Sequence, residues 1–391
     1  MRVLRILNRF NIGGPTHNAT YLTKFLSPEF KTKLIAGRKL DSEESSEHIL
    51  DEYSLDFEIL EDMQRSINLF KDLNVFFKIR RIIKTYKPKI VHTHASKSGA
   101  LGRMAAITCG VPIIIHTFHG HVFHSYFGRL KTKIYILIER FLASRSSAII
   151  AISEMQKKEL TDDFKIASPE KVHVIPLGFD LDRFQENIEI NRKKFRSEFN
   201  LMDDEIAIGI VGRLTKIKNH IFFLKVIKLL KERSNKKFRV FIVGDGEEKE
   251  SLLNLCRELS LSVNALDKNI DSPIVNFTSW RKDMDVVYSG IDIVALTSLN
   301  EGTPVTLIEA QAANKPVIST NVGGVLDIVL ENKTALISNI EIEDFLEKIL
   351  NLVEDTELKK KLSIHGYEHV NSKFSYQRLV SDMRKLYNSL A

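Results

Sequence analysis

Short apolar runs that stop at glycine, proline or polar residues recur along this chain, and stretches with helical spacing lie between them. Val3 to Leu7 is the first run. It ends in Asn11-Ile12-Gly13-Gly14-Pro15, after which His17 to Leu26 reads as a helix. Val91 to His94 is a second strand end after Lys87-Pro88, and Ser96 to Ala106 form the next helix. Ile113 to His116 leads into Thr117-Phe118-His119-Gly120-His121, and Ala148 to Ile152 and Val172 to Ile175 continue the alternation. Repeated units of this kind predict a parallel sheet covered by helices on both faces.

From Pro176 to about Asp204 the pattern dissolves into a charged stretch without a steady apolar period, which reads as a linker over 179–204. The alternation then restarts: strands over Ile206 to Val211, Phe238 to Val243 and Val275 to Phe277, with helices over Phe222 to Leu230 and Glu250 to Leu259. The expected fold class is therefore α/β, with Rossmann-like parallel domains over 1–178 and 205–374. A chain of 391 residues is longer than one hydrophobic core usually serves, which agrees with two domains.

The segment Asn300 to Asp327 follows a buried strand, Ile291 to Thr297. Thr303 fits an N-cap and Pro304 a first helical residue, because proline there gives up only an amide with no intrahelical partner. The helix is expected to run through Leu307 to Ala313 and stop at Asn314, which tolerates a left-handed turn. Ligands of βαβ units bind at the carboxyl ends of the strands, so the turn Gly302-Thr303-Pro304 suits a phosphate. Glu301 and Glu309 flank this helix start. At ~1.5 Å rise per residue they stand roughly 12 Å apart, too far to act on one bond, but well placed to touch opposite ends of one long ligand. The alternative is a helix cap beside a solvated glutamate.

Other strand ends carry further candidates. Arg213, after Ile208 to Gly212, stands five residues before Lys218, and a bidentate donor beside a flexible cation suits a diphosphate. Gly244-Asp245-Gly246 is a turn at a strand end that can line the same crevice, and Gly13-Gly14 either lets the backbone approach a phosphate or is only a turn. His119, His121 and His124 share one loop, but no carboxylate lies nearby and no helical i, i+4 spacing supports zinc, so hydrogen bonding to a polar ligand is the expected role for one of them. Asp283-Met284-Asp285 has the form of an Asp-X-Asp metal motif, yet is read as the cap of the helix that runs to Tyr288. No metal and no cofactor are expected.

Composition narrows the class. With 43% hydrophobic and 27% charged residues the chain is globular. No window approaches 18 unbroken apolar residues, and the arginine-broken start MRVLRIL is not a signal peptide, so a cytoplasmic protein is expected. Cys109 and Cys256 suggest neither zinc nor a disulfide framework. The formal charge of +7 is compatible with nucleic acid, anionic membrane or phosphorylated small molecules. Asn68 to Lys89 and Phe127 to Arg145 mix Lys and Arg with Phe, Tyr and Ile at helical spacing, so they can lie on an anionic membrane or serve as core helices with solvated edges.

These parts occur in the order IGG, VHTHASKSGALGR, HTFHGHVFHSYF, VIPLGFDLDRF, VGRLTKIKN, FTSWRKDMDVVYSGIDI and NEGTPVTLIEAQAANKPVI, and over nearly its whole length the chain resembles the retaining glycosyltransferases of family 4. The resemblance implies the GT-B fold, two Rossmann-like domains facing a central cleft, with a last helix over 375–391 packed back on the first domain. It implies a nucleotide-sugar donor, most simply a UDP-sugar, and a glycan or lipid-linked acceptor. Arg213 and Lys218 would bind the diphosphate, Glu309 the ribose and Glu301 the donor sugar. Gly302, Thr303, Pro304 and Val305 would help hold phosphate and sugar, Gly13 and Gly14 would close over the phosphates, and Gly244 would line the crevice. His119 would touch the sugar near the reacting carbon, and the base would pack near Trp280 and Arg281. A front-face transfer with retention follows, hexosyl or N-acetylhexosaminyl in type, without metal or nucleic acid. Ser279 and Asn314 depart from the glycines common in relatives. A sugar-nucleotide epimerase and a non-catalytic sugar-nucleotide-binding protein are the rival readings.

Overall fold

The computed structural model describes residues 1–10, 14–38, 47–64, 66, 68–119, 129–264 and 272–391, leaving aside the side chains of His48 and Arg129. The chain divides into two compact units, Met1–Phe179 with Lys373–Ala391, and Asp180–Ser372.

The described strands of the first unit are β1 (Arg2–Arg9), β2 (Lys31–Gly37), β3 (Phe57–Leu60), β4 (Ile90–His94), β5 (Ile113–Thr117), β6 (Ala148–Ala151) and β7 (Val172–Val174). They pair in parallel in the order β3-β2-β1-β4-β5-β6-β7. The order reverses between β1 and β4, so the connections leaving these strands part at their carboxyl ends, where α/β sheets hold their ligands. Successive side chains point to opposite faces. Val3, Ile90, Ile115 and Ile150 therefore meet Leu379, Met383 and Leu386 of the last helix, Tyr376–Leu390. Leu4, Ile6, Val91 and Ile114 meet Val75, Ile79 and Ile83 of the helix Leu69–Tyr86 on the other face. Arg378 fastens the last helix by donating to the carbonyls of Pro176 and Leu177, both at 2.7 Å.

The second unit contains β8 (Ile206–Val211), β9 (Phe238–Val243), β10 (Val275–Ser279), β11 (Ile293–Leu296), β12 (Val317–Thr320) and β13 (Ala335–Ser338). These are parallel in the order β10-β9-β8-β11-β12-β13, with the same reversal, here between β8 and β11.

The segment 179–204 is not a linker. The helix Ile188–Glu198 belongs to the second unit, which starts at Asp180 rather than 205. Phe195 is fully buried, with its ring 5.0 Å from those of Phe199 and Phe241, and a Cβ on Gly290 would lie 2.2 Å from the Phe195 ring. Arg192 adds an ion pair to Asp292 at 2.8 Å. Aromatic rings and arginines thus anchor a helix whose apolar positions are too sparse to show a period. Phe195→Ala should therefore destabilise the second unit by about 3–5 kcal/mol, the usual cost of emptying a buried aromatic site. Denaturant unfolding would measure this, and an unchanged midpoint would restore the linker reading.

Candidate functional site

In the second unit the loop after β8 meets the loop after β11. Lys218 Nζ lies 2.6 Å from Glu301 Oε1, and Ser298 Oγ donates to the same oxygen at 2.5 Å. Both members of the ion pair are largely shielded from solvent. The loops are also tied by Leu299 N–H donating to Ile217 O at 2.8 Å and by Thr297 Oγ1 donating to Lys218 O at 3.1 Å. Lys218 and Glu301, read from the sequence as separate ligand contacts, are thus each other's partner. Sequence reasoning missed what holds Glu301 in place. Gly324 N–H donates to Glu301 O at 3.0 Å. Gly323 has φ +49°, and a Cβ there would lie 1.9 Å from that same oxygen. The signal was present as the Gly-Gly pair just after β12.

The helix Val305–Ala312 begins one residue later than expected. Pro304, with ψ 97°, occupies the N-cap position, and no side chain caps the end, so Thr303 is not the cap and Pro304 is not inside the helix. Asn314 does take the left-handed conformation, with φ +54°. Glu309 is half-buried on this helix, and burial pushes its carboxyl up to about 7, against the opposing influence of the Tyr288 hydroxyl and the Arg183 charge. Tyr288 comes from the buried helix Met284–Gly290, and its hydroxyl also donates to Thr306 O at 3.3 Å. Arg183 is itself paired with Asp285 at 3.1 Å. Neither residue stands near Glu309 in sequence, so no local motif announced them.

Arg213 is exposed and only loosely paired, 3.5 Å from Glu247. Gly244 has φ +141°, and a Cβ there would lie 2.1 Å from Gly212 O, so the close approach of two backbones requires glycine. Ser279 is also left-handed, at φ +57°, and its Oγ donates to Asp245 at 2.8 Å. Such a hydrogen bond offsets part of the strain that glycine would avoid. Trp280 is 50% exposed. Arg281 beside it is held by Glu198 and by Asp283, whose two oxygens accept at 2.8 Å. Asp283 makes no side-chain cap to the helix Met284–Gly290, contrary to the sequence reading, because Arg281 takes its carboxylate. Asp285 pairs instead with Arg183 and Asn191. Among the described residues no group of three or more His, Cys, Asp or Glu is placed to hold a metal.

In the first unit Gly14 opens the helix Gly14–Phe25, and its carbonyl accepts from Asn18 Nδ2 at 2.9 Å. Gly13, His121 and His124 lie outside the described residues. His119 follows β5, half-buried, with Nε2 3.0 Å from His94 Nδ1. Burial holds its imidazole down to about 4.

Residues 191–369 match the family model for glycosyl transferases group 1, and residues 56–183 that for glycosyltransferase family 4. The chain is 30% identical over 326 residues to the Escherichia coli UDP-Gal:alpha-D-GlcNAc-diphosphoundecaprenol alpha-1,3-galactosyltransferase, covering 83% of this chain and 81% of that protein. It is 28% identical over 334 residues to the capsular polysaccharide biosynthesis glycosyltransferase CapM of Staphylococcus aureus, covering 84% and 83%. Among solved structures, Anabaena HepE in complex with UDP superposes with a TM-score of 0.81 over 100% of both chains at 18% identity, a likeness of fold.

The Glu309 carboxyl titrates near 7 in the fold, against 4.5 for an ordinary glutamate. A raised carboxyl contributes stability that is present below pH 4.5 and lost as pH rises through 7. Glu309→Gln should remove this dependence, narrowing the difference in thermal midpoint between pH 5 and pH 8. An unchanged difference would show that Glu309 is ordinary.

Proposed function

Since the chain belongs to the group 1, family 4 glycosyltransferases and has their GT-B fold of two parallel α/β domains, we propose that it transfers a sugar, with retention, from a UDP-sugar to a lipid-linked diphosphate glycan. The observation that carries this reading is the Lys218–Glu301 pair at 2.6 Å. A donor diphosphate competes for the ammonium, and a carboxylate released from it becomes an acceptor for sugar hydroxyls. One ligand thereby engages both partners at opposite ends of the pair. Arg213, loosely held, joins Lys218 on the phosphates, and together they stabilise the charge that develops on the leaving UDP. Glu309 accepts from the ribose. The backbone from Gly302 through Thr303 and Pro304 to Val305, together with Gly244, lines the phosphate and sugar path, and Trp280 and Arg281 flank the base. Two side-chain cations supply the positive charge, so the reading needs neither metal nor cofactor.

The UDP donor and lipid-linked acceptor are supported by the named reaction of the E. coli relative. The first unit supports peripheral contact with an anionic membrane at its cytoplasmic face. Phe70 is 87% and Leu130 74% exposed, with Leu69, Phe77, Ile134, Leu137 and Phe141 also outward. Lys71, Lys78, Lys131 and Lys133 stand among them on the helices Leu69–Tyr86 and Arg129–Ser144. Exposed apolar side chains framed by lysines suit the interface of a charged bilayer. Among the described residues no helix is long and apolar enough to cross a membrane.

Arg213→Ala and Lys218→Ala should each lower turnover of a UDP-sugar onto a lipid diphosphate sugar about 10²-fold or more, as loss of one charge-stabilising donor does. Product analysis should show the donor's anomeric configuration retained. Normal turnover in both variants, or an altered nucleotide sugar formed without acceptor, would overturn the assignment. In flotation at low salt the protein should rise with phosphatidylglycerol vesicles, and Phe70→Asp with Leu130→Asp should stay at the bottom. Indifference of the wild type to anionic vesicles would remove the membrane contact.

A further inference from the structure

The two carboxylate oxygens of Glu301 stand in different surroundings. Oε1 accepts twice, from Lys218 Nζ at 2.6 Å and from Ser298 Oγ at 2.5 Å, so both of its lone pairs are engaged. Among the described residues nothing donates to Oε2. Oε2 is also not one of the buried polar atoms left without a partner, and the side chain keeps 11% of its surface exposed. It is therefore the oxygen that solvent, or a ligand in place of solvent, can reach. An ionised carboxylate only accepts, so the group it takes is a donor such as a hydroxyl.

Lys218 alone does not fix this orientation. Its ammonium is a point charge on a flexible stem, and a donor diphosphate competes for it. Ser298 is placed differently. It is fully buried just after β11, and its carbonyl accepts from Thr320 Oγ1 at 2.7 Å. On either side of it, Thr297 Oγ1 donates to Lys218 O at 3.1 Å and Leu299 N–H to Ile217 O at 2.8 Å. The loop after β11 is thus tied to the loop after β8 without the serine hydroxyl, whose single proton goes to Glu301. A shielded carboxylate that loses its cation keeps the cost of its burial. With Ser298 still donating to Oε1, part of that cost is offset, and the carboxylate has no reason to turn when Lys218 leaves it.

We propose that Ser298 is a positioning residue: its hydroxyl holds Glu301 Oε1 both before and after Lys218 turns to the donor diphosphate, and so keeps Oε2 presented as the acceptor for a sugar hydroxyl. This rests on the reading above that Lys218 meets the diphosphate and Glu301 the sugar. Ser298, Glu301 and Lys218 all belong to the second unit, so the device is complete within one domain.

Crystal structures of the wild type and of Ser298→Ala, each ligand-free and with UDP, test the holding role. In the wild type Glu301 Oε1 should stay within hydrogen-bond distance of Ser298 Oγ in both states. In Ser298→Ala the carboxylate should turn from that position, most fully once UDP has drawn off Lys218. A carboxylate that parts from Ser298 in the wild type, or that keeps its place in both states of Ser298→Ala, would overturn the proposal. In solution Ser298→Ala should bind UDP as the wild type does. With the UDP-sugar that the wild type turns over, it should lower kcat about tenfold, the size of one lost hydrogen bond to a charged group. This loss should vanish in a Glu301→Ala background, since the two act as one unit. An equal loss in that background, or full turnover in Ser298→Ala, would refute the positioning role. If Lys218 stays on Glu301 with UDP bound, the diphosphate reading fails, while the ligand-free structures still decide whether Ser298 orients Glu301.

Discussion

The strand-end loops of the second unit meet backbone to backbone at two glycines. Gly244 presses on the carbonyl of Gly212 and Gly323 on that of Glu301, each so near that a single added carbon would overlap the oxygen. Both also hold φ in the region that glycine enters without strain. The polar arrangement hangs from these two contacts. Gly244 N–H donates to Ser279 O and draws in the loop that carries Trp280, while Gly324 N–H fixes the carbonyl of Glu301. A side chain at either glycine would overlap its neighbour's carbonyl, and at Gly323 that carbonyl is the one of Glu301. Close packing of main chain is thus the condition for close placement of charge.

The charges at this face are held with unequal firmness. Arg281 is bound by two carboxylates, which raise its guanidinium above the ordinary value and leave it little freedom to change partners. Lys218 has one carboxylate, and Arg213 has a long, exposed contact with Glu247. An exposed pair of that kind contributes little stability. A shielded pair that loses one partner costs more, because the remaining charge keeps its burial penalty. An anionic ligand therefore meets little resistance at Arg213 and more at Lys218. It must compensate Glu301 as well as Lys218, which a ligand with both phosphate and hydroxyl groups can do. Arg281 serves better as a rigid neighbour to Trp280 than as a phosphate contact.

The alternation of strand and helix was legible because runs such as Ile113-Ile114-Ile115 are buried on both faces and bounded by breakers. The helix Ile188–Glu198 was not, since one aromatic anchor, Phe195, and two arginines, Arg192 and Arg196, replace a periodic apolar face. Glu301, Glu309, Arg213 and Lys218 could be named from their spacing, yet their relations could not. The pairing of Lys218 with Glu301 needs two loops 83 residues apart to meet, and the neutralising environment of Glu309 is built by Tyr288 and Arg183 from other elements. Ser279 illustrates the limit in a single residue. It departs from the glycine common in relatives, yet its left-handed backbone and its hydrogen bond to Asp245 show how serine can stand in for glycine there.

The two units treat polar side chains in opposite ways, and the contrast bears on the chemistry. The second unit keeps its lysine and glutamate charged and paired. The first keeps His92, His94 and His119 stacked and uncharged, and burial holds His119 near 4, so that it is a neutral imidazole at neutral pH. A neutral imidazole can donate a hydrogen bond to a sugar oxygen, but it is too weak a base to remove an acceptor proton efficiently. Glu301 is committed to Lys218 and Ser298, and Glu309, a carboxyl raised toward neutrality, stands eight residues further along the chain at the other end of the helix start. None of the three is suited to serve as a general base beside the reacting carbon. This agrees with the proposed front-face transfer, in which the leaving phosphate, proposed to be held by Lys218 and Arg213, itself takes the acceptor proton.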